Sequence, residues 1–241
     1  MTVAEPVTKF GGQPVWVGCP LRVHRRCVEP MFGLSNRLAY DGCMVLADGK
    51  AAEEEALTRV RPLLGESRWF DVAAKQGGPK HFIQEQAEVV RRLVCAYLER
   101  NLIGEDGLPA LFVVSPFRSM ADGVRKALCD GLKARGHEAK AVSAWGAASV
   151  GTVHTFQGKE QETVILALGG TSDGAIAWAC GTPNILNVAV TRAQRRLYVV
   201  GDRARWMAAS GLVQEFSGLP VEDGAATGEC PESGGIRMEA I

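Results

Sequence analysis

The middle of the chain holds an apolar strand that runs into a polar loop: Val150-Gly151-Thr152-Val153-His154-Thr155-Phe156-Gln157-Gly158-Lys159-Glu160. Gly158 lets the backbone turn close to a ligand, because it places no side chain in the way. Around it, Gln157, Lys159 and Glu160 offer an amide, a cation and a carboxylate. That mixture suits a sugar or a phosphate, so the stretch predicts a strand that ends in a ligand-binding loop.

A second stretch combines an apolar helical face with arginines: Pro183-Asn184-Ile185-Leu186-Asn187-Val188-Ala189-Val190-Thr191-Arg192-Ala193-Gln194-Arg195-Arg196. Its periodicity predicts a helix over 183–192, followed by a strand over 197–200. Arg192 and Arg195 lie three apart, so on a continued helix they share one face. Guanidinium groups fork onto phosphate oxygens, which makes this pair a candidate phosphate contact.

Strands and helices alternate on both sides of these stretches. The pattern predicts strands over 67–73, 110–114, 150–154 and 162–168, with a polar loop over 48–52. Further helices are expected over 31–40, 83–100, 120–135 and 203–209, with Gly136 as a C-cap. This alternation predicts an α/β fold in which helices cover both faces of a parallel sheet.

Composition excludes several classes of protein. The 241 residues are 46% hydrophobic, with 27 acidic and 27 basic side chains, which is ordinary for a globular protein. Neither a secretory leader nor a long apolar segment is present, so we expect a cytoplasmic protein without a membrane contact. The seven cysteines form no C-x-x-C pair, so we expect reduced thiols and no metal site.

Charge is distributed unevenly although the formal net charge is zero. Residues 187–205 contain five arginines and one aspartate, whereas residues 216–241 contain five acids and one arginine. The basic segment suits a surface that faces phosphates, although composition alone favours a solvated helix face with a disordered tail. We expect an edge or linker segment over 1–20, a main domain over 21–212 and an acidic, mobile tail over 213–241.

The two stretches resemble motifs V and VI of superfamily 1 helicases, in the branch that includes the nonsense-mediated-decay RNA helicase. The resemblance implies a RecA-like fold. It also implies that Thr152 and His154, which would point to the same side of one strand, face single-stranded nucleic acid. Gln157, Gly158 and Glu160 would then lie toward the nucleotide.

Motif VI of the family supplies an arginine finger, a role that the resemblance carries to Arg192. In such enzymes the finger stabilises charge on the transferring γ-phosphoryl group, an effect of about a thousandfold or more in rate. Thr191, which precedes it, is expected on the nucleic-acid side.

Two shorter blocks extend the resemblance. Pro20-Leu21-Arg22-Val23-His24-Arg25-Arg26 resembles the motif between the two lobes, and it implies a second γ-phosphate contact from Arg26. Arg25 stands where many members carry an adenine-stacking Tyr, and guanidinium planes also stack on bases. Val113-Val114-Ser115-Pro116-Phe117-Arg118 resembles motif IV, which implies that Ser115 and Pro116 lie near the nucleic-acid backbone.

The phosphate loop of these helicases, G-x-x-x-x-G-K-[ST], does not occur in the 241 residues. We therefore expect ATP and Mg²⁺ to be held mainly by a first RecA-like lobe, on another part of a longer protein or on another chain. The isolated chain is expected to lack ATPase activity. Its other expected partner is single-stranded DNA or RNA, and the sequence favours neither.

Two other functions fit parts of the sequence. A non-catalytic RecA-like module that binds nucleic acid or acts as a scaffold would also retain these motifs, although the presence of both Arg26 and Arg192 argues against loss of the ATP side. An unrelated Rossmann-like enzyme would need a G-x-G-x-x-G turn, and the sequence has none.

Overall fold

The computed structural model describes residues 8–10, 13–15, 22–73, 79–181 and 183–224. The described strands are β1 (Thr8–Phe10), β2 (Gln13–Val15), β3 (Val23–His24), β4 (Val45–Leu46), β5 (Arg68–Asp71), β6 (Phe112–Ser115), β7 (Val150–Thr152), β8 (Gln161–Ala167), β9 (Ala193–Gly201) and β10 (Val221–Asp223). The α-helices are α1 (Met31–Ala39), α2 (Lys50–Val60), α3 (Gln84–Glu99), α4 (Arg118–Ala134), α5 (Ala139–Ser149), α6 (Asp173–Cys180), α7 (Pro183–Val190), α8 (Arg203–Ala209) and α9 (Gly211–Gln214). Short 3₁₀ helices span Pro79–His81, Val153–Phe156 and Glu215–Gly218.

A six-stranded sheet in the order β10-β5-β9-β8-β6-β7 forms the centre of the fold, and every neighbouring pair in it is parallel. Its middle strands are apolar and buried, as expected for a sheet that is covered on both sides. Helices flank it in two groups. In one group α1 packs against α7, and in the other α3 packs against α4 and α4 against α5. The predicted α/β fold with a parallel sheet is confirmed.

Local sequence explains where α4 ends and where α5 begins. α4 ends at a left-handed Gly136, with φ of 89°. The amides of Gly136 and His137 donate to the carbonyls of Lys133 and Leu132, at 3.0 and 3.2 Å, which is the Schellman arrangement. Glu138 is the N-cap of α5, and its carboxylate accepts from the amides of Lys140 and Ala141.

Helix α2 is attached to the sheet by ion pairs, since it has no buried residue of its own. The Glu54 carboxylate accepts from Arg195 Nε and from Arg196 Nη1, both at 2.7 Å. Glu162 lies 3.4 Å from Arg195 Nη1 and 2.9 Å from Arg61 Nη2. Because the Arg195 side chain is only 5% exposed, these carboxylates compensate a charge that is almost removed from water.

Several predictions from the pattern are wrong in their bounds. The expected helix over 183–192 ends at Val190, and Arg195 lies in β9, which begins at Ala193. Pairing of β9 with β8 on one side and β5 on the other overrides the helical tendency of this stretch. The stretch 48–52, which was expected to be a loop, contains the start of α2. The pattern did not predict α5 or α6, because their Ala-rich sequences show little periodicity.

The predicted tail begins too early. Val213, Phe216 and Leu219 are buried in the core, and β10 pairs with β5 at the edge of the sheet. The domain therefore continues to at least residue 224, while residues 225–241 and the expected segment 1–20, apart from β1 and β2, lie outside the described residues. Within the described part of the chain, no helix has the length and apolar character needed to cross a membrane.

Glu54→Ala is expected to lower the free energy of unfolding by about 2–3 kcal/mol, because it leaves the buried Arg195 with Glu162 as its one carboxylate, at 3.4 Å. Chemical denaturation measures this. Glu55→Ala is the matched control on the same helix, since the Glu55 side chain is 67% exposed and its pair with Arg59 contributes about 0.5 kcal/mol or less. Equal effects of the two substitutions would contradict the role of Glu54.

The same contact has a defined pH dependence. Burial raises the pKa of Glu54, but hydrogen bonds from Arg195, Arg196 and Thr58 hold that pKa below its ordinary value of 4.5. A carboxyl with a lowered folded pKa stabilises the fold above its unfolded pKa and loses that contribution as pH falls through the folded pKa. The stability difference between wild type and Glu54→Gln should therefore be full above pH 4.5 and shrink below it.

Candidate functional site

The segment that connects β7 to β8 runs between the two ends of the parallel strands. We call the side with their carboxyl ends the carboxyl edge and the side with their amino ends the amino edge. Thr152 ends β7 beside Ser115, at the carboxyl ends of the strands. Glu160 directly precedes β8, at the amino ends. Since β7 and β8 flank β6 in parallel, residues 153–160 must return across β6, and the ring of Phe156 packs there at 4.6 Å from that of Phe112. We call residues 153–160 the crossover.

Arg192 fastens the crossover at the amino edge. Its Nη1 donates to the carbonyls of Phe156 at 3.3 Å and Lys159 at 2.8 Å, and its Nε donates to the carbonyl of Val188 at 3.0 Å. The residue is 6% exposed. Burial lowers the pKa of Arg192, and the nearby positive charge of Arg26 lowers it further, while Glu160 opposes the shift.

Arg26 and Glu160 form an exposed ion pair beside Arg192. We call the hydrogen bonds from Arg192 to the crossover the clamp. Arg26 Nε lies 2.7 Å from Glu160 Oε2, and the two side chains are 41% and 44% exposed. The amide of Val28 donates to the carbonyl of Gln194 at 3.0 Å, which fixes the Arg26 segment against β9.

A pocket of about 220 Å³ opens beside this ion pair, with both cations and carboxylates in its lining. The lining residues are Arg25, Arg26, Val28, Lys50, Glu53, Glu54, Leu57, Glu160, Glu162, Gln194 and Arg195.

The turn that carries Arg25 and Arg26 is closed by His24 and Cys27. The Cys27 amide donates to His24 Nε2 at 3.2 Å, and Cys27 Sγ lies 2.9 Å from the same nitrogen. Burial raises the pKa of Cys27 to about 12 and lowers that of His24. The imidazole accepts at Nε2 from the Cys27 amide, so this pair holds the turn.

The carboxyl edge holds the residues predicted to face nucleic acid, but the structure buries some of them. Ser115 is 1% exposed and accepts from the amide of Phe117 at 3.2 Å. Pro116 is also buried, whereas His154 is exposed and Thr152 is half-buried. Thr152 and His154 do not share a strand as expected, because β7 ends at Thr152 and a 3₁₀ helix follows.

A protein-family model described as an AAA domain matches residues 16–204. The chain belongs to this AAA-domain family. Together with the parallel sheet, this membership confirms the RecA-like fold and supports a helicase domain of superfamily 1. A comparison with curated proteins found no match.

In this AAA domain the first three arginines of the basic segment 187–205 are held by contacts within the fold. Arg192 and Arg195 are buried, and Arg196 binds the Glu54 carboxylate and the carbonyl of Gly65. The expectation that Arg192 and Arg195 project from one helical face is wrong, because a turn and a strand separate them. Arg195 and Arg196 bind the distant Glu54 carboxylate, whereas Arg192 binds carbonyls of the crossover, and the local charge pattern contains neither partner.

The structure also separates Thr191 from the carboxyl edge. Its hydroxyl donates to the carbonyls of Asn187 and Val188 and accepts from Arg192 Nη2 at 3.2 Å. This buried position supports the Arg192 side chain and offers no free hydroxyl to a strand of nucleic acid.

Sequence reasoning missed the contribution of α2 to the pocket. Lys50 and Glu53 pair at 3.1 Å on its first turn, and both line the pocket with Leu57. The Lys50-x-x-Glu53 spacing was the available signal, since residues three apart meet on a helix. Nothing in that spacing indicates what the helix packs against.

Arg192→Ala is expected to release the crossover from the turn after α7. Loss of charged hydrogen bonds to two carbonyls should destabilise the domain by about 2 kcal/mol and speed amide exchange within residues 156–160. Hydrogen exchange and chemical denaturation measure both effects. Arg118→Ala, with a side chain that is 90% exposed, is the control and should change neither. Unchanged exchange at 156–160 in Arg192→Ala would exclude the clamp.

Proposed function

We propose that this AAA domain is the second RecA-like lobe of an ATP-dependent superfamily 1 helicase, in the branch that includes the nonsense-mediated-decay RNA helicase. One observation carries the proposal. The crossover joins Thr152, at the carboxyl edge of the sheet, to Glu160, which binds Arg26 at the amino edge. A single short segment thereby connects a surface suited to nucleic acid with a pocket suited to a nucleotide.

Arg26 and Glu160 suit a nucleotide that is shared with a first lobe. A guanidinium binds phosphate oxygens, and a carboxylate accepts hydrogen bonds from ribose hydroxyls. Their mutual ion pair is exposed and therefore weak, so a phosphate can replace Glu160 on Arg26 at little cost. Arg25, which is exposed at the pocket, is the proposed stacking partner of the base, and Gln157 and Gly158 lie on the exposed loop just before Glu160.

Mg²⁺ and the phosphates of ATP are assigned to the first lobe, because these 241 residues contain no phosphate loop. When bound, they supply the phosphoryl group and neutralise its charge. This chain contributes the Arg26 cation and the orientation of the crossover.

Arg192 occupies a different position from that of an extended finger. Four of its five N–H groups donate to the carbonyls of Phe156, Lys159 and Val188 and to the Thr191 hydroxyl. We propose that it acts first as the clamp of the crossover and reaches a phosphate only if those contacts open. The same observation favours the second candidate function, a non-catalytic RecA-like module that binds nucleic acid.

At the carboxyl edge, His154 and Thr155 are exposed and Thr152 is half-buried. Thr152 Oγ1 lies 3.2 Å from Thr155 Oγ1, so the two hydroxyls form one polar patch. Hydroxyl and imidazole groups bind phosphate and sugar, which positions a strand without reading its sequence. Ser115 and Pro116 are proposed to act indirectly, by placing Phe117. Closure of the cleft on ATP would then move this surface along the strand.

The isolated chain is expected to show no ATP turnover, because Arg26 and Arg192 have no bound phosphoryl group to act on. A coupled ATPase assay with single strands present tests this. Turnover that disappears in Arg26→Ala and Arg192→Ala would contradict the assignment of the phosphates to another lobe. With the first lobe present, Arg26→Ala should lower turnover by about a hundredfold or more.

The chain is expected to bind single strands with an affinity that falls as salt rises. A Thr152→Ala/His154→Ala variant should bind about tenfold more weakly, because two sugar and phosphate contacts are lost. His137→Ala/Ser143→Ala is the matched control, because it also removes one imidazole and one hydroxyl group, from the segment between α4 and β7. Equal binding by wild type and the Thr152/His154 variant would remove the nucleic-acid assignment.

A further inference from the structure

Trp178 on α6 is exposed to solvent, unlike the other tryptophans of the described residues. Its side chain shows 56% relative exposure, whereas Trp69, Trp145 and Trp206 show 5% or less. An exposed ring of this size offers a flat apolar face on which another ring can stack. Trp178 is thus a candidate contact that the sequence pattern did not single out.

The ring rests on a rigid aromatic support. Its centroid lies 6.0 Å from that of Phe117, which is 6% exposed. Phe117 in turn contacts the rings of His81 at 4.7 Å and Trp206 at 6.5 Å. Ser115 holds the amide of Phe117, so the buried Ser-Pro-Phe turn fixes the position of the support.

Helix α6 is equally well fixed. Ser172 caps its first turn by accepting from the amide of Ala175, and Ile176, Ala179 and Cys180 are buried. The preceding Gly170 has φ of 88° and packs against Ile176 so closely that a Cβ would lie 2.9 Å from it. The exposed ring is therefore preorganised, which reduces the entropy lost when a ligand binds.

Topology places Trp178 on the same edge as Thr152 and His154. Phe117 follows β6, α6 follows β8, and Thr152 ends β7. β6 lies between β7 and β8, and neighbouring strands are about 4.8 Å apart. A strand of nucleic acid that crosses the end of β7 needs only a short continuation along this edge to reach the ring.

The residues that flank the supporting rings in sequence include two exposed cations, which suit a polyanion. Arg118 follows Phe117 and its side chain is 90% exposed, with Asp122 at 3.6 Å. Lys80, beside His81, is also exposed. The carboxylate at the start of α6, Asp173, is paired with Arg205 at 2.8 Å. Exposed cations beside an exposed aromatic ring are the combination by which proteins bind single strands without sequence preference.

We infer that Trp178 is a base-stacking residue for single-stranded nucleic acid, with Phe117 as its support and Arg118 as a phosphate contact. The inference rests on the proposed nucleic-acid surface and adds a second site to it. It names a ligand chemistry, an unpaired base, that hydroxyl and imidazole groups at the end of β7 do not provide.

Binding of a fluorescein-labelled oligothymidylate of about 16 nucleotides, followed by anisotropy across a salt series, tests the inference. Trp178→Ala should weaken binding about tenfold, and Trp178→Phe should retain most of the affinity.

The slope of log affinity against log salt concentration should stay unchanged in Trp178→Ala, because stacking releases no counterion. In Arg118→Ala the slope should fall by roughly 0.7. Tyr40→Ala is the control. Tyr40 is also an exposed aromatic residue, but it lies at the end of helix α1 and not after a strand of the sheet.

Intrinsic fluorescence gives a second readout that does not depend on the alanine variant folding. Unlabelled oligothymidylate should quench part of the wild-type emission, and that quenched component should be absent in Trp178→Phe. Quenching that persists unchanged in Trp178→Phe would overturn the inference.

The outcomes separate this inference from the proposed function. If Thr152→Ala/His154→Ala weakens binding and Trp178→Ala does not, the nucleic-acid surface stands and the stacking residue is wrong. If wild type binds no single strand, both fail. If Trp178→Ala binds normally but changes the sedimentation of the protein, the ring belongs to a protein interface and the inference is overturned.

Discussion

The contact between the Arg192 guanidinium and the carbonyls of Phe156 and Lys159 connects the two ends of the proposed functional site. It joins the turn between α7 and β9 to the crossover, and the crossover joins the two edges of the sheet. A buried guanidinium satisfies carbonyls that a returning loop would otherwise leave without donors. The position of Glu160, and through it the pair with Arg26, follows from this contact.

The ion pairs around the pocket are of two kinds, buried and exposed. Glu54 binds Arg195 and Arg196 with little solvent access, so it attaches α2 and the pocket wall to the sheet. Arg26 with Glu160 is exposed and exchangeable. Buried pairs hold the frame because breaking one leaves a charge without compensation, whereas exposed pairs leave their members available to a ligand. The proposed nucleotide would therefore bind at the exposed pair without disturbing the buried ones.

Particular residues show how far the pattern reaches. The apolar runs of β6 and β8 and the stripe of α4 predicted these elements to within a few residues, because burial of one face or of a whole strand repeats locally. Ser115 and Pro116 carry a recognisable motif, but the structure buries both. Trp178, with no motif around it, is exposed. Motifs identify which residues cluster, and packing decides which of them reach the surface.

The sequence by itself determined the alternation of strands and helices, the parallel sheet and the glycine-marked loop at Gly158, since each depends on neighbours in the chain. Only the tertiary structure decided the end of α7 at Val190 and the burial of Arg192 and Arg195. Arg195 finds its carboxylate 141 positions away, on Glu54. Contacts across such separations are fixed when the sheet assembles, and they turn a run of arginines that suggested a phosphate surface into internal supports of the fold.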